Sequence, residues 1–144
     1  MRNGKMKVYF SHPTLTFRTR TESTVMEIIE SSLDPEELIN PADFGLKDDL
    51  REKVRESDVV VGMAIEGKFT FLVWNELAEA EEHGADVYTI RLKNKENIGK
   101  LRKGYPAKVK KLGREESREF TGGLLKENRS SWLGLLFGNW GSRF

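Results

Sequence analysis

The sequence predicts an α/β domain built on a mostly parallel sheet of about five strands with helices on both faces, a three-layer arrangement. Three observations carry that expectation. The stretch from Asp58 to Ile90 reads as strand, glycine-bearing loop, helix, strand, the repeating unit of a parallel sheet. Val59, Val60 and Val61 form a β-branched run without a polar interruption, as in a strand covered on both faces. Thr70 to His83 is rich in Leu, Ala and Glu and is followed by Gly84, so it reads as a helix with its stop signal before the next strand, Val87 to Ile90.

Taken in order, Lys7 to Ser11 is a first strand, β-branched and aromatic, ended by His12-Pro13 because proline holds the residue before it extended. Thr14 to Arg20 is a polar loop at the carboxyl end of that strand. Thr24 with Glu27 three residues on resembles a capping box, and Val25, Ile28 and Ile29 supply the buried stripe of a first helix. Glu37 to Asn40 is a weak second strand, with Asn40-Pro41 as its turn. Leu46, Leu50 and Val54 recur every four residues, the mark of a surface helix laid on a sheet. Beyond Ile90, Lys95 to Lys103 reads as a short helix and Ala107 to Leu112 as a last strand. These elements make one domain over residues 1–127. Residues 128–144 form an aromatic tail carrying Trp132, Leu133, Leu135, Leu136, Phe137, Trp140 and Phe144 without an acid. That much apolar surface calls for a partner. Docking on the domain or on a second copy is preferred over a membrane surface, with Phe71, Trp74 and Ala78 as a receiving face, so a homo-oligomer is expected.

The totals narrow the chemistry. The absence of cysteine excludes disulfides, thiol nucleophiles and thiolate metal sites, and two histidines far apart argue against a histidine metal cluster. No cofactor is expected. Abundant Glu and Lys resemble a thermophile's composition. No leader is read at the N-terminus and no stretch approaches about 18 apolar residues, so the cytoplasm is the expected compartment and no membrane span is expected. The net charge of +1 hides an asymmetry: residues 1–90 sum to −8 and residues 91–144 to +9. The basic density peaks between Arg91 and Arg118, where Tyr105 is the single aromatic available for base stacking, and nucleic acid is therefore not expected as a partner.

Patterns for a serine nucleophile elbow, a P-loop or a dinucleotide glycine loop are absent. Carboxylate chemistry remains. At 100° per residue, Phe69, Val73, Leu77 and Ala80 share the arc facing the sheet, and Glu76 falls inside it, while Glu79, Glu81 and Glu82 point outward. A carboxylate on the apolar face must be paired, hydrogen-bonded or open to a cleft. Glu76 thus either meets a cation at the sheet rim or is a catalytic acid beside the crevice where open α/β sheets bind ligands. Asp58 and Glu66 belong to the same unit and Asp43 follows the second strand. Two carboxylates converging on a sugar are the usual means of breaking a glycosidic bond. His12 is a second acid/base candidate, though a lone histidine is more often structural.

Three ordered motifs carry a resemblance. Val8-Tyr9-Phe10-Ser11-His12-Pro13, Ser57-Asp58-Val59-Val60-Val61-Gly62, and Asn75-Glu76-Leu77 followed by Ala80 and Gly84 resemble successive motifs of the nucleoside 2-deoxyribosyltransferase family and its nucleotide N-glycosidase relatives. That family is a branch of the flavodoxin-like folds that is also similar to TIR domains. The resemblance implies a flavodoxin-like domain that cleaves or transfers an N-glycosidic bond of a nucleoside or nucleotide. It implies Glu76 as nucleophile, Asp58 orienting or protonating the base, and Tyr9 lining the pocket together with Ser11, His12 and Asp43. Arg18 or Arg20 would meet a 5′-phosphate. It also implies oligomers whose C-terminal segments complete a neighbour's site. The alternative is a module of the same fold that binds nucleotides or proteins without catalysis.

Overall fold

The computed structural model describes residues 6–45, 49–94 and 97–127. In chain order these form β1 (Lys7–Ser11), α1 (Arg20–Leu33), β2 (Glu37–Ile39), α2 (Arg51–Glu56), β3 (Val59–Ile65), β4 (Lys68–Phe69), α3 (Phe71–Glu82), β5 (Asp86–Asn94), β6 (Asn97–Ile98), β7 (Arg102–Lys103), β8 (Lys110–Lys111) and α4 (Arg114–Glu127). The β-branched run lies at the centre, as expected. β2, β1, β3 and β5 lie side by side in parallel, with Tyr9 opposite Ile39 on one side and Val60 on the other, and Val60 opposite Val87.

The sheet is mixed, which corrects the mostly parallel arrangement of about five strands. After Ile65 the chain reverses through Glu66 and Gly67, whose φ values of 53° and 76° suit a two-residue hairpin turn. β4 then pairs antiparallel with β3 and parallel with β8. The outer edge of β5 is taken by antiparallel β6 and β7, where a short helix was expected. Extended pairing along β5 outweighs the weak helical preference of that polar segment.

Alternation along β1 and β3 divides the core. Val8, Phe10, Val59, Val61, Met63 and Ile65 meet α1 through Val25 and Ile29, and α4 through Leu124. Tyr9, Val60 and Ala64 meet α2 through Val54, and α3 through Val73, Leu77 and Ala80. Gly62 lies inside β3. A Cβ there would stand 2.7 Å from Leu77 Cδ1, so the bare backbone lets α3 lie close against the sheet.

Three boundaries moved. α1 begins a turn earlier than expected: Thr19 is its N-cap, accepting from the Glu22 amide at 3.2 Å. Thr19-x-x-Glu22 is itself a capping-box spacing, hidden by the polar first turn. α2 is only six residues long and Leu46 lies outside the described residues. α4 was not foreseen. Its start carries a local signal, because Glu116 three residues after Gly113 accepts that residue's amide at 3.0 Å. Residues 128–144 lie outside the described residues, and with them the expected role of the tail. Among the described residues no helix is long and apolar enough to cross a membrane.

Candidate active site

The helical arc read from the sequence is the one buried: Phe69, Val73, Leu77 and Ala80 are fully covered, and Glu76 lies among them, turned to the sheet. Glu79 and Glu81 point outward, to Arg55 and to the Tyr105 hydroxyl. Among the described residues Glu76 meets no cation; both its oxygens accept from hydroxyls of β1. Tyr9 Oη donates to Oε2 at 2.8 Å and Ser11 Oγ to Oε1 at 2.6 Å. Tyr9 and Ser11 are two apart on one strand, so both project to the α3 face.

Burial pushes the Glu76 carboxyl above its ordinary value, and the bonds from Ser11 and Tyr9 partly offset this by favouring the charged form. Tyr9 is driven far above the usual phenol range, first by burial and then by the Glu76 charge and hydrogen bond, so it remains a proton donor. The site is a carboxylate held at the carboxyl end of a parallel strand by two neutral donors.

The other expected site residues divide by strand position. Ser11 joins Glu76, and its neighbour His12 faces the opposite side of the sheet. His12 is fully buried, stacked on Phe10 at 3.9 Å between ring centres, with Nε2 2.8 Å from Glu22 Oε2 and Nδ1 3.2 Å from the Phe10 carbonyl. It ties β1 to α1 and does not reach Glu76's face. Asp58 precedes β3 at its N-terminal end, where its carboxylate accepts the Lys7 amide at 2.9 Å and its own amide donates to the Lys7 carbonyl at 2.8 Å. Asp58, expected to work on the base beside Glu76, instead clamps the start of two strands. Arg18, in the left-handed region at φ 59°, donates to the Ala42 carbonyl at 3.1 Å. That bond joins the loop after β1 to the turn holding exposed Asp43. Arg20 is the exposed first residue of α1.

Between the loop after β1 and the starts of α3 and α4 runs a groove of about 580 Å³ that sequence reasoning missed. Pro13, Thr14 and Leu15 form one wall, Thr70, Phe71 and Leu72 at the start of α3 another, and Arg114, Ser117, Arg118 and Thr121 of α4 the third. It passes one helical turn from Glu76, ~6 Å along the α3 axis, and Glu76 is not among its lining residues. Ser117 Oγ accepts the Phe71 amide at 2.7 Å. Thr70, the α3 N-cap, makes no capping bond, and its buried Oγ1 has no partner among the described residues. The first turn of α3 carries no acid. Arg114 lies over the Phe71 ring at 4.7 Å. The groove therefore combines an apolar lip, two arginines and the positive end of a helix, which suits an anionic ligand with an apolar body. α4 supplies one of the three walls, so the groove was invisible while α4 was. Trp74, expected to receive the tail, gives its indole N–H to the Leu112 carbonyl at 2.7 Å.

No family model, no curated protein and no solved structure matches the chain.

Proposed function

We propose that the chain cleaves or transfers the N-glycosidic bond of a nucleoside or nucleotide, with Glu76 as nucleophile. The observation that carries this reading is the Glu76 carboxyl turned onto β1, with one donor on each oxygen, one helical turn along α3 from a groove fit for an anionic ligand. The ordered resemblance to deoxyribosyltransferases and to their flavodoxin-like frame points the same way.

In this reading the sugar reaches Glu76 from the groove, whose Arg114, Arg118 and start of α3 would meet a 5′-phosphate. A Glu76 oxygen attacks the anomeric carbon as the bond to the base nitrogen breaks, and the bonding pair leaves with the base, which takes up a proton. Water or a second base then attacks the glycosyl ester and frees the carboxylate. Tyr9 and Ser11 hold the carboxylate plane and share its charge before attack. Asp58 has no step here, because it stands at the other end of the strands.

The test is release of free base from deoxynucleoside monophosphates and from NAD by the full chain. Release is expected from the wild type and its loss, by a factor of at least ~10³, from Glu76→Gln; turnover unchanged in that variant would refute the assignment. One observation favours the second reading, a binding module without catalysis: both Glu76 oxygens are already occupied by protein hydroxyls, and the groove lining excludes Glu76. Under it, nucleotides raise the melting temperature, by the equivalent of about 2.7 kcal/mol at 100-fold the dissociation constant, yet no base is released.

A further inference from the structure

β6 and β7 are two pieces of one segment running antiparallel along β5. Leu92 pairs with Ile98 and Thr89 with Arg102, so four steps on the edge segment face three on β5. The extra residue makes a bulge, a device that re-aims side chains at sheet edges. At the bulge the Gly99 amide donates to the Arg91 carbonyl at 2.7 Å. A Cβ on Gly99 would stand 3.1 Å from that oxygen, so the segment presses close to β5 here.

The bulge closes a hollow of about 220 Å³ lined by Arg91, Lys93, Asn97, Gly99, Lys100 and Arg102. Among the described residues four cations and no acid face it. Among the described residues none of these four is held in an ion pair, whereas the neighbouring Lys103 and Lys110 reach Asp86 and Glu116. Scattered lysines suffice to blunt a sheet edge against aggregation. Four like charges around one concavity repel each other and are relieved by an anion. The hollow is smaller than the roughly 300 Å³ of a small-molecule pocket, so it admits a phosphate group and not a whole nucleotide. The cations continue outside it: residues 91–111 hold nine Lys and Arg against one acid.

We propose that this bulged edge binds single-stranded nucleic acid through its phosphates. The ligand's body lies outside the hollow and presents charges in series to a rim one strand wide, which tracks one backbone and not two. The scarcity of aromatics argues against base stacking, not against phosphate contact. Binding is therefore indifferent to sequence and steeply sensitive to salt.

Fluorescence anisotropy of the full chain with a labelled oligothymidylate of about 15 nucleotides, titrated from about 50 to 200 mM salt, tests this. Affinity is expected to fall with salt, with a log–log slope of about −0.7 for each phosphate neutralised. Arg91→Ala/Arg102→Ala should weaken binding at least tenfold at the low-salt end and flatten the slope by about 1.4. Lys93→Ala/Lys100→Ala should repeat the effect. Arg51→Ala/Arg55→Ala, which removes the same charge from another surface, should leave affinity unchanged. Absence of binding, a flat salt response, or equal losses in all three double variants would overturn the proposal. So would tighter binding of the duplex form, or displacement by inorganic tripolyphosphate at the oligonucleotide's own concentration of sites.

Discussion

The surroundings of Glu76 disfavour its charged form. Burial opposes its ionisation, and Ser11 and Tyr9 only partly compensate. Its folded-state pKa therefore lies above the unfolded value near 4.5. The folded state binds the proton more tightly, so the cost of the charge is full above the raised pKa and vanishes as pH falls toward 4.5. Glu76→Gln is accordingly expected to melt higher than the wild type at pH 7 to 8, a gap that closes toward about pH 4.5 in a melting series. Base release by the wild type should lose its acid limb at a higher pH than a free glutamate would, because the nucleophile must be ionised. A variant less stable at every pH would mean that the site is a structural anchor. His12 is likewise held by contacts within the protein, but on the other face of the sheet, to the Phe10 carbonyl and Glu22. Its neighbour Ser11 shows that one step along a strand changes the face and the role.

At the scale of elements, α3 and β3 were the most legible, since fourteen residues of consistent 100° periodicity and an unbroken β-branched run leave little ambiguity. α1 shows how a polar first turn conceals a start. Thr19 caps it through the Glu22 amide, and Glu22 is itself buried against His12. Thr19→Ala should cost about 1 kcal/mol in chemical denaturation, whereas Thr24→Ala, inside the helix, should cost little. The segment after Ile90 was misread because its residues are polar and carry weak local preference. Pairing along the exposed edge of β5 decided it, and such pairing depends on the neighbour and not on the segment itself.

For the whole molecule, α4 does two things at once: Leu124 closes the core beneath β1 and β3, and Arg114, Ser117 and Arg118 wall the groove one helical turn from Glu76. Leu124→Ala should lower global stability by about 2–4 kcal/mol in urea unfolding and weaken nucleotide-induced stabilisation along with it. Loss of stability without any change in ligand response would separate α4 from the site. The acidic first part of the chain and its basic later part also meet in one sheet, through the parallel pairing of β3 with β5, which leaves the cations on the bulged rim. The sequence by itself determined the α/β class, the central parallel strands, the extent of α3 and the inward turn of Glu76, because hydrophobic period records which face of an element is covered. Only the tertiary structure decided what covers it: the hydroxyls of Tyr9 and Ser11, more than sixty residues away in the chain, the distance of Asp58 from them, and the α4 wall. Those depend on register and docking between distant segments, and no local pattern of residues records them.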